Sequence, residues 1–82
     1  MNLQNIIENG LNARQALVMD RLRVIYDATP SELSCPLISQ ATMTTIVDTL
    51  EKKGFVKRIP SRSDRRSIRV TITKLGEEFA RS

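Results

Sequence analysis

Apolar residues recur at helical spacing in the first third of the chain. Between residues 13 and 28, Val18, Leu22 and Ile25 fall on one face, the pattern of an amphipathic helix. Asn12 stands where an N-cap residue would begin it. Leu17, Met19 and Tyr26 flank that face. A separate short helix is predicted from Leu3 to Asn9 and ended by Gly10. The chain therefore opens with two helices.

The segment Thr29–Glu32 is a second helix start. A threonine cap, a proline at the first helical position and a glutamate three residues after the cap form a capping-box pattern. We predict a helix over residues 30–37, with Leu33 and Leu37 as its apolar contacts. Pro36 kinks its last turn or ends it near Cys35.

A further helix is predicted from Gln40 to Lys53, with Ser39 as its cap. Its apolar face holds Met43, Ile46, Val47 and Leu50. Its opposite face holds Gln40, Ala41, Thr44, Thr45 and Asp48. Gly54 suits the left-handed position after a helix, and Phe55 is placed to pack back on Leu50.

Two strands and a final short helix complete the pattern. Residues 56–59 form the first strand, residues 60–66 a polar loop, and Ile68, Val70 and Ile72 alternate with polar residues in the second strand. Thr73 is a cap for the last helix. The predicted fold is mainly α with a small β-hairpin: one winged helix-turn-helix domain over residues 1–82, with the helix-turn-helix at 30–54 and the wing hairpin at 55–73.

Positive charge is concentrated in and beside this hairpin. Residues 52–74 hold nine basic side chains against Asp64 alone, whereas the rest of the chain holds four basic and eight acidic residues. A basic hairpin beside a helix of small polar residues is suited to grip duplex DNA. A charge run can also be a solvated surface, but its confinement to one hairpin favours DNA.

Composition argues against an enzyme. The chain has no histidine, its three glycines are isolated, and Cys35 is the single cysteine. The commonest general base and transition-metal ligand are therefore missing. We expect no catalytic residue, no metal and no cofactor. No apolar run approaches the ~20 residues that cross a bilayer, so we expect a cytoplasmic protein without a membrane partner.

Several segments together resemble the MarR family of winged-helix transcription regulators. Residues 39–56 are similar to that family's recognition helix and its exit, and Asp64-Arg65-Arg66 to its wing motif. Residues 72–76 resemble the strand end that opens its next helix, and residues 11–15 the start of the helix before the motif. The resemblance spans about residues 11–78.

The resemblance implies a transcription regulator that binds double-stranded DNA, with the recognition helix in the major groove. Arg66 would enter the minor groove, oriented by an ion pair with Asp64. The expected DNA-binding residues are Ser39, Gln40, Ala41, Thr42, Thr44, Thr45, Arg62, Asp64, Arg65 and Arg66. Threonines stand at positions 45 and 49, where several members carry arginine, which weakens phosphate contact there.

The family dimerises through longer terminal helices than this chain carries. We expect a possible homodimer through Leu3, Ile6 and Ile7 with Leu75 and Phe79, and the short termini argue against a small-molecule effector. Two alternatives stay open. The winged helix could serve protein association, or the chain could pair with a full-length relative and inactivate its dimer.

Overall fold

The computed structural model describes residues 2–60 and 68–81. Its elements in chain order are α1 (Leu3–Glu8), α2 (Ala13–Ile25), β1 (Asp27–Ala28), α3 (Pro30–Leu33), α4 (Gln40–Lys52), β2 (Val56–Pro60), β3 (Ile68–Ile72) and α5 (Lys74–Arg81). The three strands form one antiparallel sheet in the order β1-β3-β2. The predicted fold class, mainly helical with a small β-hairpin, is confirmed.

One apolar core holds these elements together. Met19 and Leu22 of α2, Met43 and Leu50 of α4 and Val70 of β3 have no exposed surface, and they belong to a single contiguous cluster. Burying side chains of this size contributes about 1.5–3 kcal/mol each. The helical spacing of the apolar residues in α2 and α4 therefore places the apolar faces of both helices in the same core, against the sheet.

The predicted helix starts are confirmed. The Asn12 side chain accepts from the Gln15 N–H, and the Gln15 side chain accepts from the Asn12 N–H, which is a complete capping box. Thr29 accepts from the Glu32 N–H, and the Thr29 hydroxyl donates to the Glu32 carboxylate. These bonds satisfy backbone donors that a helix start leaves unpaired.

The end of α4 also follows its sequence signals. Gly54 has φ +82. The Gly54 N–H donates to the Glu51 carbonyl and the Phe55 N–H to the Leu50 carbonyl, each at 3.0 Å. This pair of bonds is the Schellman motif. It turns the chain so that Phe55 enters the core and β2 starts beside α4.

The predicted end of α2 is wrong. The helix was expected to reach residue 28, but it ends at Ile25, and residues 27–28 instead form β1 beside β3. Tyr26 makes the reversal with φ 67, and its carbonyl accepts from the Ile72 N–H at 2.9 Å. Ile25 is 43% exposed and Tyr26 52% exposed, so neither is the core residue that the helical spacing indicated.

Tyr26 occupies a backbone region that residues with a side chain rarely adopt. Tyr26→Gly should therefore unfold at higher urea concentration than Tyr26→Ala, by about 1 kcal/mol in the free energy of unfolding. Both variants remove the ring, and only glycine also removes the clash of Cβ with the backbone. Elsewhere in a chain alanine is the more stable of the two, so an alanine variant of equal or greater stability would contradict a left-handed Tyr26.

The helix α3 is also shorter than expected. Residues 30–37 were predicted to be helical, but α3 ends at Leu33 with Ser34 as its cap. The Ile38 N–H then donates to the Cys35 carbonyl at 3.0 Å, closing a turn around Pro36 and Leu37. Because the residue before a proline avoids the helical region, the helix stops early. Leu37 lies at the tip of the turn, 73% exposed, and Ile38 is buried in its place.

Candidate nucleic-acid interface

The outer face of α4 presents small polar side chains at the surface. Of the residues predicted there, Ser39, Gln40, Ala41, Thr44 and Thr45 are exposed, and Thr42 is half-buried. Ser39 caps the helix by accepting from the Thr42 N–H at 3.2 Å, and its hydroxyl donates to the Thr42 hydroxyl at 3.0 Å. The structure therefore brings all six residues to one helix start, with Thr42 turned back toward the cap.

The threonine hydroxyls of this face are already used as donors. Thr44 donates to the Gln40 carbonyl at 3.1 Å, and Thr49 donates to the Thr45 carbonyl at 3.2 Å. Such bonds to the preceding turn fix the side-chain rotamer. What remains for a ligand is the methyl group and the acceptor lone pairs of each hydroxyl. A surface of this kind suits apolar contact with thymine methyl groups and acceptance from base amino groups.

Gln40 is held across the turn between the two helices of the motif. Its amide N–H donates to the Ser31 hydroxyl in α3 at 2.9 Å. A glutamine amide has a second N–H donor and a carbonyl acceptor. Those two groups are the pair that reads adenine in the major groove. The bond to Ser31 thus leaves the reading edge available while it orients the amide.

Two arginines of the basic segment are engaged within the protein. Arg58 lies 2.6 Å from Asp48 and 2.8 Å from Glu51 of α4. Arg69 of β3 lies 2.6 Å from Asp27. Both arginines were included in the basic segment predicted to contact DNA, and their acidic partners were not predicted. The sequence held a signal for Arg58 alone, because the acids Asp48 and Glu51 stand just before the basic segment.

Arg69 joins β1 and α3 to the wing. Besides Asp27, its guanidinium lies 3.8 Å from Glu32. The hydrogen bond to Asp27, with attraction to both carboxylates, raises the pKa of Arg69 above its ordinary value although burial opposes it. The ion pair with Asp27 links β3 to β1 on the side where α3 begins.

The described lysines of the basic segment lie at the surface. Lys52 and Lys57 are exposed, as is Lys74. Lys53 is exposed and donates to the Asn9 carbonyl at 2.8 Å. Lys52 and Lys57 supply positive charge beside α4 and in β2, which suits phosphate attraction and carries no base information.

The predicted wing residues Arg62, Asp64, Arg65 and Arg66 lie outside the described residues. The described part of the hairpin sets where they are attached. Pro60 pairs with Ile68, and Arg58 with Val70. The residues that flank the undescribed segment, Pro60 and Ile68, therefore lie opposite each other at the end of the hairpin.

Within residues 2–60 and 68–81, no group of three or more His, Cys, Asp or Glu side chains could hold a metal ion. Over the same residues, no helix combines the length and apolar character needed to cross a membrane. Cys35 is a free, half-buried thiol in the turn before α4. None of these findings adds a chemical group to the face of α4.

Comparison with known proteins identifies the family. The MarR family profile matches residues 11–68. The chain belongs to the MarR family. The resemblance seen in the recognition helix and wing motif is thereby confirmed. MarR proteins are transcription regulators and not enzymes, in agreement with the expectation drawn from the composition.

Similar curated proteins include the transcriptional repressor MprA of Escherichia coli K12, 49% identical over 53 residues, which are 63% of this chain and 30% of MprA. The regulator PecS of Dickeya dadantii is 33% identical over 70 residues, 80% of this chain and 42% of PecS. The chain thus spans less than half of the length of both relatives.

Solved MarR-type structures share the fold. A cysteine-to-serine mutant of MarR from E. coli, determined in complex with operator DNA, superposes with a TM-score of 0.84 at 28% identity. The match covers 95% of this chain and 56% of that one. Transcriptional regulator Tm0710 from Thermotoga maritima gives a TM-score of 0.88 at 29% identity, with the same coverage.

Proposed function

We propose that this MarR-family chain is a sequence-specific DNA-binding transcription regulator. The observation that carries the proposal is the outer face of α4, which is exposed, small and capped on a helix whose opposite face is fixed in the core. The structural similarity to a MarR protein determined with operator DNA supports DNA binding by this chain. An enzymatic role has no comparable support.

In this proposal α4 enters the major groove with its N-terminal turn toward the bases. Gln40 reads adenine with the amide edge that its bond to Ser31 leaves available. Ala41, Thr44 and Thr45 provide apolar and acceptor contacts to neighbouring bases, and Ser39 and Thr42 hold the helix start against the duplex. The small side chains allow the helix backbone to approach the base edges closely.

The wing provides the second contact in the proposal. Arg62 and Arg65 contact phosphates, and Arg66 inserts into the adjacent minor groove, where a narrow A·T-rich segment has enhanced negative potential. Asp64 orients Arg66 through an ion pair. A single acid inside a basic loop reduces the attraction to phosphate, so a local role of this kind accounts for it.

Arg66→Ala should weaken DNA binding and lower its salt dependence together. Loss of one DNA-contacting cation reduces the slope of log K against log[salt] by about 0.9. The measurement is fluorescence anisotropy with a bound duplex over a salt series. Arg81→Ala, at the exposed end of α5, removes the same charge and should leave the slope within error. An unchanged slope for Arg66→Ala would refute its contact with DNA.

The test of the proposed function is selection of bound duplexes from a random DNA library at moderate salt. An enriched palindrome would establish a sequence-specific dimer, and a single enriched half-site a specific monomer. Failure to enrich any sequence, with binding that vanishes as salt rises, would indicate phosphate attraction alone and would overturn the proposal.

Protein association is a second candidate function, and exposed apolar side chains favour it. Leu3 is 71% exposed, Ile7 61% and Val24 63%. A groove of about 490 Å³ between α1 and α2 is lined in part by Leu3, Ile7 and Leu17. We propose a second copy of the chain, or a full-length relative, as the partner. Sedimentation of the chain alone and mixed with such a relative distinguishes the two.

The predicted dimer surface needs two corrections. Leu3, Ile7 and Leu75 are exposed, but Ile6 is half-buried and packs against the core, and Phe79 is only 6% exposed. Its ring stacks on Phe55 with centroids 4.7 Å apart. Phe79 therefore belongs to the core, and the proposed dimer contact uses the exposed residues Leu3, Ile7 and Leu75.

A further inference from the structure

One arginine and two carboxylates join the base of the wing to α4. The guanidinium of Arg58 in β2 donates to Asp48 at 2.6 Å and to Glu51 at 2.8 Å. The backbone N–H of Arg58 also donates to the Glu51 carboxylate, at 3.2 Å. Glu51 therefore holds the main chain and the side chain of one strand residue. We name Arg58, Asp48 and Glu51 the Arg58 clamp.

The clamp runs along the helix proposed to read DNA. Thr44, Asp48 and Glu51 are four and three residues apart, so they share one side of α4. Arg58 also donates to the Thr44 carbonyl at 3.4 Å. The three residues that it contacts are thus spread over about two helical turns, roughly 10 Å along the axis, and one of them is a residue proposed to contact bases.

Without the arginine, the clamp would present two unpaired negative charges to DNA. The side chains of Asp48 and Glu51 are 53% and 41% exposed. Two carboxylates on this side of α4 would repel phosphates if they were unpaired. The Arg58 side chain is 26% exposed, and its fork already engages both acids. An arginine used in this way is not free to pair with a phosphate.

We propose that Arg58 is a positioning residue for DNA recognition, acting through Asp48 and Glu51 and not on the DNA. By fixing β2 on α4, it sets the distance between the recognition helix and the wing loop, which begins after Pro60. It also offsets one of the two negative charges that Asp48 and Glu51 place on α4. This inference rests on the proposed DNA-binding function and adds Arg58, which was not among the predicted DNA-binding residues.

A double-mutant cycle tests the inference. Arg58→Gln is made in the native chain and in a chain carrying Asp48→Asn and Glu51→Gln, and each is titrated with the duplex that the native chain enriches. We expect about a tenfold loss of affinity in the native background and less than about threefold in the neutralised background. Measurements are made well below each variant's unfolding temperature, so that loss of fold does not enter the affinity.

Lys57→Gln is the matched control, since it removes the same charge from the neighbouring exposed residue of β2. It should change the affinity by the same factor in both backgrounds. The salt slope gives an independent readout. In the chain carrying Asp48→Asn and Glu51→Gln, where the change leaves no carboxylate unpaired, Arg58→Gln should leave the slope unchanged, whereas loss of a direct phosphate contact would lower it by about 0.9.

Arg58→Lys keeps the charge and loses the fork that holds two carboxylates, and it covers the case in which the glutamine variant does not fold. We expect it to lose at least about threefold in affinity. Equal losses for Arg58→Gln in both backgrounds, no loss for either variant, or a slope lowered by about 0.9 in the neutralised background would overturn the inference alone. If the native chain enriches no duplex, the proposed function fails and the inference fails with it.

Discussion

Gly76→Ala is expected to lower the free energy of unfolding by about 3 kcal/mol or more, a large share of the roughly 4–12 kcal/mol expected for an 82-residue chain. A Cβ at this position would collide with the carbonyl oxygen of Phe55 and lie 2.8 Å from Ile72 Cγ1. The oxygen belongs to the backbone and cannot rotate away. In an ordinary helix interior the same change stabilises, by about 1 kcal/mol, so the prediction opposes helix propensity in sign.

The tight packing at Gly76 has a local cause. The Thr73 N–H donates to the Phe55 carbonyl at 3.0 Å, and the Gly76 N–H donates to the Thr73 hydroxyl at 3.0 Å. The first turn of α5 is thereby pressed on the exit of α4. Urea unfolding followed by circular dichroism measures the effect. Glu78→Ala, at an exposed position of α5, is the control and should change stability by less than about 0.5 kcal/mol. A Gly76→Ala variant as stable as the native chain would show that α5 does not sit this close.

Leu33→Ala should cost about 3 kcal/mol, and Leu37→Ala less than about 0.5 kcal/mol. Leu33 is 2% exposed in the core beside α4, whereas Leu37 is 73% exposed at the tip of the turn. The substitution is chemically the same in both variants, so the difference measures burial alone. Urea unfolding of the two variants in parallel provides the values.

This pair also tests the course of the chain through the helix-turn-helix. Continuation of α3 through residue 37 would bury both leucines and make their losses similar. Comparable destabilisation by the two variants would therefore contradict an α3 that ends at Leu33. Because neither residue belongs to the proposed DNA contacts, a Leu37→Ala variant of native stability should also bind the enriched duplex with native affinity.

Local sequence determined the parts of this protein whose bonds are local. The capping residues Asn12, Thr29 and Ser39, and the glycine after α4, each act on backbone groups within a few residues. The positions of α4 and of the hairpin follow from these caps and from apolar spacing. The candidate face of α4 was predictable for the same reason, because the side of a helix opposite its apolar stripe is solvent-facing.

Tertiary contacts decided the features that depend on residues far apart in the chain. Asp27–Ala28 becomes a strand only because β3 lies beside it, and Tyr26 is held left-handed at that junction, so helical spacing alone extended α2 too far. Arg58 and Arg69 are paired by acids 10 and 42 residues away, and no count of charge along the chain distinguishes them from cations that face DNA. Sequence determined which segments become helices and strands. The packed structure decided which charges remain for a partner, since pairing depends on distance in space.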